Sequence, residues 1–532
     1  MKASIALTAA AALAAKASAA CWSQSLGYPC CSSASAKVEY TDADGKWGIE
    51  NGNWCGIPAA TSSASCWAKP LGYNCCTSTT QAVYTDSDGK WGVENGDWCG
   101  IPKAESCWSQ PLGYPCCTST STAVYTDGDG AWGIENGDWC GINGNSSQGS
   151  TPNVGNDENP VIGSQYTHSG NPFKGHKFFI NPYYTAEVDA AIAQMSNSSL
   201  IAKAEKMKEY SNAIWLDNIE NMQNWLERNL KSALAEQNAT GQTVLTVFVV
   251  YDLPGRDCHA LASNGELLAN DADAARYKSE YIDVIEEKLK TYISQPVVLI
   301  IEPDSLANMV TNISTTPACA ASEKYYYDGH AYLIKKLGIL PHIAMYLDIG
   351  HAFWLGWDDN RLGAGKVYSK VISSGSPGQV RGFASNVANY TPWEDPELSR
   401  GPDTEWNSCP DEKRYIEAMY KDFKSAGIKS VYFIEDTSRN GVKNDRFHPG
   451  EWCNQMGSGI GARPQASPIA GMDYLDAFYW VKPYGESDGT SDESAKRYDG
   501  YCGHRTAMKP APEAGQWFQK HFEQGLENAN PP

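Results

Sequence analysis

The sequence predicts a large α/β domain of parallel strands in a barrel-like arrangement, preceded by three small disulfide-rich β modules. Three observations carry that expectation. Residues 21–142 repeat one cysteine-rich unit three times, short β-branched runs alternate with helical patterns beyond residue 170, and those runs end in carboxylates. At 532 residues the chain exceeds the roughly 250–300 that one hydrophobic core sustains, so more than one domain is required.

Met1-Lys2, an Ala-rich run to Ala15 and Ala17-Ser18-Ala19 have the charged start, apolar middle and small-residue end of a secretory signal, here 1–20. The 17 cysteines agree with an oxidising, extracellular destination. Asn197, Asn238 and Asn312 stand in N-x-S/T sequences that would permit glycosylation there. No later run has the 18 or more apolar residues of a membrane span. A formal net charge of −20 argues against nucleic acid or an anionic membrane as partner, because association would start against repulsion. A neutral polymer meets no such barrier.

The repeats occupy 21–58, 66–102 and 107–142. Their cysteines are Cys21, Cys30, Cys31, Cys55, then Cys66, Cys75, Cys76, Cys99, then Cys107, Cys116, Cys117, Cys140. Each unit also carries Leu-Gly-Tyr, Tyr-Thr-Asp-x-Asp-Gly and Trp-Gly-x-Glu-Asn-Gly-x-Trp-Cys-Gly. Units of about 36 residues fall below the roughly 40 at which a core suffices alone, so each needs two disulfides, in one of three connectivities. The Gly-rich, aromatic pattern suggests short strands joined by tight turns. Asp42-Ala43-Asp44-Gly45 shares the start of a calcium loop but lacks its downstream spacing and bidentate Glu, and reads better as a turn. Three tryptophans per unit, such as Trp22, Trp47 and Trp54, exceed what so small a core can hide, so some should form an exposed binding face.

Residues 143–169 are rich in Gly, Asn, Ser and Pro, as a flexible tether is. The remainder, 170–532, is read as one domain. Helical patterns over 186–195, 202–235, 273–290 and 412–426 alternate with short apolar runs, which argues for parallel strands with crossover helices. Ile214–Leu216 leads to Asp217; Val244–Val250 to Tyr251, Asp252, Arg256 and Asp257; Val297–Ile301 to Glu302-Pro303-Asp304. Ile343–Leu347 leads to Asp348 and His351, Val431–Ile434 to Glu435-Asp436, and Phe478–Val481 to Lys482, Glu486 and Asp488. Pro303 stops its strand and biases Glu302 towards an extended conformation, so Asp304 projects from the carboxyl end. One such end is equally a solvated turn. Several converging on one rim would repel one another without a purpose, and that rim is where barrels carry acid/base sites.

Carboxylates with Tyr251, Trp354, Trp357 and Trp452 nearby suit a sugar polymer, since aromatic faces stack on pyranose rings while carboxylates handle protons. A divalent metal is the rival reading. No H-E-x-x-H or paired Cys/His spacing supports it, and His351 beside Asp348 reads as a hydrogen-bonded neighbour. A serine nucleophile lacks its G-x-S-x-G elbow. Gly457-Ser458-Gly459-Ile460-Gly461 lacks the preceding strand of a dinucleotide loop. No cofactor or metal is expected.

Two family resemblances sharpen these readings. The repeat pattern resembles the fungal dockerin, also classed with family 10 carbohydrate-binding modules. The resemblance implies attachment to a scaffoldin cohesin in a cellulosome through Tyr28, Asp44 and Trp47, then Tyr73, Asp88 and Trp91, then Tyr114, Asp129 and Trp132; direct cellulose binding is the alternative. Three linked copies give avidity for either target. Segments V-V-Y-D-L-P-G-R-D-C-H-A-L-A-S-N-G-E (249–266), V-L-I-I-E-P-D-S-L-A-N (298–308), A-M-Y-L-D-I-G-H-A-F-W-L-G-W (344–357) and W-V-K-P-Y-G-E-S-D-G-T-S-D (480–492) closely resemble glycoside hydrolase family 6. This likeness runs from about Asn171 to Asn530 and implies a distorted, incomplete α/β barrel that cleaves β-1,4-glucan with inversion.

By that resemblance Asp304 is the general acid and Asp257 the aspartate that keeps it protonated, with Arg256 beside them. Tyr251 lies beneath the distorted sugar, Ser263 helps place the catalytic water, and Asp488 is the base, directly or through a second water. Trp215, Asp217, Asp348, His351, Trp354, Trp357, Asn386, Trp452, Lys482 and Glu486 match substrate-binding positions. Phe179 stands where the family has a tryptophan on a distal glucose, which weakens that contact. Glu302 matches no proton-transfer role and is expected to organise hydrogen bonds. The resemblance also pairs Cys258 with Cys319 and Cys453 with Cys502, leaving Cys409 unpaired.

Loop length decides mode in such a family. Stretches 254–272 and 482–511 read as full length, so a roofed cleft releasing cellobiose from non-reducing ends is favoured over an endoglucanase. A non-catalytic scaffold or cellulose-binding protein would keep the repeats and aromatics but has no use for Asp304 with Asp257 and Tyr251.

Overall fold

The computed structural model describes residues 162–395, 406–443 and 450–530, and within the repeats 40–41, 46–50, 53–56, 68, 73–76, 83–85, 90–94, 97–100, 109, 115–117, 125–126, 130–135 and 138–142. The chain separates into two compact units, Met1–Gln110 and Pro111–Pro532. The expected signal segment 1–20, the first part of the expected tether, and Tyr28, Asp44, Asp88, Tyr114 and Asp129 lie outside the described residues, as do the side chains of Trp47 and Trp132.

Each repeat is a small antiparallel sheet. In the second, Tyr84–Thr85, Lys90–Glu94 and Asp97–Gly100 pair in order, and Asn74–Cys75 adds a parallel strand to the last. Registers Glu50↔Asn53, Glu94↔Asp97 and Glu135↔Asp138 leave one Asn-Gly pair between the strands, the sequence signature of a two-residue hairpin. Cys76–Cys99 and Cys117–Cys140 join the second half of the Cys-Cys pair to the last cysteine. Tyr73 is exposed, as expected of a binding face, but Trp91 is only 8% exposed. The ring of Tyr73 stands edge-on to it at 4.8 Å, so Trp91 serves as the core that so short a chain requires. Among the described residues of the repeats, Trp54 and Trp98 are the exposed tryptophans, at 43% and 46%.

The large domain is built on a nine-stranded sheet. Its strands are β1 (Lys177–Phe178), β2 (Ile214–Leu216), β3 (Val244–Val250), β4 (Val297–Ile301), β5 (Ile343–Asp348), β6 (Gly382–Ser385), β7 (Phe433–Asp436), β8 (Gln465–Ala466) and β9 (Leu475–Tyr479). The order runs β1-β3-β4-β5-β6-β7-β9-β8, with β2 beside the second half of β3. All pairings are parallel except β8 on β9. A single bridge, Asn212↔Trp480, joins the two margins, so the barrel is curled but incomplete.

Alternation along β3 sorts the core into two layers. Val247 and Val249 point inside the barrel with Val298, Ile300 and Tyr346, whereas Phe248 and Val250 point to the helices with Ile301 and Leu347. Both faces are buried, which is why these strands read as continuous apolar runs. The register aligns their ends: Val250↔Ile301, Ile301↔Leu347 and Ser385↔Glu435 bring the residues that follow to one rim.

Helix α1 (Pro182–Ile192) starts at Asn181, whose side chain accepts from the N–H of Tyr183. Helices α2 (Ser198–Met207) and α3 (Ile219–Thr240) replace the single helix expected over 202–235. β2 interrupts that pattern because Ile214 and Leu216 pair with β3, a tertiary contact that overrides local helical periodicity. Within the expected tether, Tyr166 donates to the carbonyl of Ile293 and His168 to that of Pro341, so its last residues are already tied to the barrel.

Candidate active site

The strand ends open onto a cavity of about 560 Å³. Trp215, Asp217, Tyr251, Arg256, Asp257, Ser263, Asp304, His351, Trp354, Trp452, Lys482, Glu486 and Asp488 all line it. Sequence order scatters them over nearly 300 positions; parallel register gathers them.

Around Asp304 the backbone is held in unusual conformations. Asp257, Glu302 and Asp304 have φ of 51°, 47° and 60°, left-handed values that cost non-glycine residues energy unless the surroundings fix them. Glu302 is therefore not extended, as the following proline suggested. Its buried carboxylate accepts from the N–H of Asp252 (3.1 Å), the N–H of Leu253 (3.2 Å) and the hydroxyl of Tyr277 (2.7 Å), which pins the turn and fits the organising role expected. Asp304 donates its N–H to Asp348 Oδ1 at 3.1 Å, and Gly350 donates to the same oxygen at 3.0 Å.

Asp304 is thus surrounded by carboxyls. Burial, then the charges of Asp257, Asp348 and Asp488, hold its proton well above the ordinary aspartate range, against the pull of Arg439. Burial also lifts Asp257 to about 6, opposed by hydrogen bonds from Ser263 and Tyr251 and by Arg256. Asp257 accordingly ionises first and helps Asp304 stay neutral. Arg256 is a strut: Nη1 donates to Tyr251 O (2.6 Å), Nε to Ser263 O (2.9 Å), and Cζ lies 4.1 Å from the Tyr251 ring centroid. Trp215 meets that ring edge-on at 5.3 Å.

Asp488 lives in the opposite environment. Arg439 Nη1 donates to Oδ1 at 2.6 Å, while the Tyr390 hydroxyl (2.6 Å) and the N–H of Asn454 (2.8 Å) donate to Oδ2. Burial raises its pKa, but the Arg439 charge, these hydrogen bonds and Lys482 outweigh it, so Asp488 stays below the ordinary value. One rim therefore carries a carboxyl that keeps its proton and another that has lost it, the division of labour acid/base catalysis needs.

Four expected contacts lie elsewhere. Phe179 is 5% exposed and packs in the helix-side core, because β1 turns it away from the cavity. Asn386 is buried, and its amide spans Thr391 and the carbonyl of Asp436, bracing a loop. Trp357 precedes a helix, Asp358–Ser374, and does not line the cavity. Asp348 sits beneath Asp304 rather than on the wall. Conversely, Arg439, Tyr390 and Asn454 were invisible in the sequence, being isolated polar residues in loops. Tyr183 and Trp225 also line the cavity, yet read as ordinary helix positions. Cys258–Cys319 and Cys453–Cys502 form, and Cys409 is unpaired and buried.

A parallel barrel whose rim pairs a proton-retaining carboxyl with an ionised one, among tryptophans, has the chemistry of a glycoside hydrolase. The chain belongs to glycosyl hydrolases family 6, whose model matches residues 173–529. A second model, described as a cellulose or protein binding domain, matches residues 20–57, 65–101 and 106–142. Over 376 residues the chain is 46% identical to 1,4-beta-D-glucan cellobiohydrolase C of Emericella nidulans, covering 69% of this chain and 80% of that protein. It is 45% identical over 365 residues to 1,4-beta-D-glucan cellobiohydrolase CEL6C of Podospora anserina, covering 68% and 88%. The catalytic core of cellobiohydrolase Cel6A from Chaetomium thermophilum superposes with a TM-score of 0.65 at 45% identity, covering 69% of this chain and all of that one. Cellobiohydrolase II (Cel6A) from Humicola insolens, in complex with glucose and cellotetraose, gives 0.64 at 44% identity, with 68% and 100% covered. None of these comparisons supports the scaffoldin attachment expected from the repeats; the family description leaves cellulose and protein both as targets.

Proposed function

We propose that the protein is a secreted cellobiohydrolase that cleaves β-1,4-glucosidic bonds of cellulose with inversion, releasing cellobiose from non-reducing ends. The opposed protonation of Asp304 and Asp488 carries the chemistry. Asp304 gives its proton to the glycosidic oxygen as the bond to the anomeric carbon breaks. A water placed by Ser263 forms the new bond from the opposite face, and its proton passes to Asp488, directly or through a second water. Asp257 keeps Asp304 protonated between turnovers, and Arg256 fixes Tyr251 beneath the ring that is cleaved.

Loop contacts favour the exo mode. The N–H of Leu261 donates to Asp499 Oδ2 at 2.9 Å, and Ala262 packs on the Cys453–Cys502 bridge. The stretches 254–272 and 482–511 thus touch, and both also line the cavity, which supports a roofed passage that threads a chain end. The proposal includes a signal peptide at 1–20, modules at 21–58, 66–102 and 107–142, and a tether from 143. The modules hold the enzyme on cellulose through exposed tryptophans such as Trp54 and Trp98. Cellobiose as the main product from cellulose, with the anomer opposite to the substrate's, is the expected outcome. A ladder of longer oligomers would move the assignment to an endoglucanase, and capture by a scaffoldin cohesin but not by cellulose would restore the dockerin reading.

A further inference from the structure

The cavity extends past the residues that the chemistry uses. Asp217, Asn221 and Trp225 all line it, and their spacing of four places the latter two on one face of α3. Asn221 Nδ2 donates to Asp217 Oδ1 at 2.7 Å. Trp225 lies one turn beyond, about 6 Å farther along the helix axis than Asn221. From the other side Tyr183 brings its ring to 5.1 Å from that of Trp225, tilted by 55°. Tyr183 is itself placed by Asn181, which caps α1 through the Tyr183 N–H (3.1 Å) and donates to Asn212 Oδ1 (3.1 Å).

A helix tryptophan is ordinarily core, and Trp225 does pack against the helix-side core. Core packing does not account for the rest. The ring is half-buried and lines the cavity beside a second aromatic, with a polar Asn–Asp pair next to it. An aromatic surface flanked by fixed hydrogen-bonding groups is how a pyranose is received, its C–H face on the ring and its hydroxyls on the polar atoms. Phe179, buried in the core, supplies no such surface.

We propose that Trp225 and Tyr183 form a further sugar-binding site, beyond Trp215, that takes a glucosyl unit of chains too long to be held by the residues around Asp304 alone. This deepens the functional reading above and rests on it. The site contributes affinity for long β-1,4-glucan chains and takes no part in bond cleavage.

Calorimetric titration with cellohexaose and with cellobiose, of the full chain carrying Asp304→Asn so that the ligand is not cleaved, reads the site without turnover. Trp225→Ala should weaken cellohexaose binding roughly fivefold to tenfold, the loss expected for one aromatic stacking contact, and leave cellobiose binding unchanged. Trp225→Phe should restore most of the difference. Unchanged cellohexaose affinity in Trp225→Ala, or equal losses for both sugars, would overturn the site while leaving the cellulase assignment intact. Conversely, a wild-type protein that binds cellohexaose with this dependence on Trp225 yet never cleaves it would sink the functional reading and leave the site standing.

Discussion

Asp304 and Asp488 face one cavity and have the same side chain, the first partly buried and the second buried, yet the protein sets them to opposite charge states. Asp304 is ringed by Asp257, Asp348 and Asp488, and its nearest fixed donor contact uses its backbone, not its carboxyl. Asp488 receives a guanidinium, a phenol and a backbone N–H on its two oxygens. Burial penalises charge on both, so the neighbours decide. A disulfide stands beside a neighbour of each: Cys258–Cys319 follows Asp257, whose charge acts on Asp304, and Cys453–Cys502 adjoins the Asn454 N–H that binds Asp488. Removing one neighbour at a time tests whether the difference is the mechanism.

The largest effect should come from Asp304→Asn, which keeps shape and removes the transferable proton. Turnover of cellotetraose should fall about 1,000-fold, within the range for a lost general acid. An aryl cellobioside with a good leaving group needs little protonation and should lose far less. Equal losses on both substrates would mean that Asp304 positions rather than protonates.

Next in size is Arg439→Met. Arg439 is fully buried, and among the described residues its Nε and Nη2 find no partner, so its charge is committed to Asp488 and Tyr390. Without it burial dominates, and the Asp488 pKa rises. The base must be ionised, so the acid limb of kcat/KM should move to higher pH by at least about one unit, with a loss of roughly tenfold on that limb, at pH below both pKa values. Circular dichroism must show a folded variant, because an unpaired buried carboxylate also costs stability. An unmoved acid limb would remove Asp488 from the role of base.

How much of this was legible in the sequence follows from the physics of each part. Strands β3, β4 and β5 are buried on both faces, so composition alone marked them, and the carboxylates after them marked the rim. Strand β6, Gly382–Ser385, has no apolar run and is created by pairing with its neighbours, whereas the run Ile214–Leu216 of β2 was legible but overlapped a helical pattern over 202–235. Asp304 was readable because its motif is contiguous. Arg439 and Tyr390 were not, since their meaning comes from a contact with Asp488 about 50 to 100 positions away. Trp91, with an exposed role expected, is covered by Tyr73, because pattern alone cannot say which tryptophan a tiny core consumes.

The subtlest test lies on the Asp304 side. Asp257 titrates near 6, so above that pH its charge opposes ionisation of Asp304. Asp257→Asn removes this charge and leaves burial, Asp348 and Asp488 to hold the proton. The folded-state pKa of Asp304 should therefore fall, and since the acid works protonated, activity should be lost earlier as pH rises. The alkaline limb of kcat/KM should move down by about one pH unit while the acid limb, set by Asp488, stays in place. Arg439→Met moves the acid limb up and Asp257→Asn moves the alkaline limb down, so each variant narrows the profile from its own side. A shift of both limbs in either variant would show that the two carboxyls titrate as one coupled system, and the contrast between them would then belong to the pair and not to the residues.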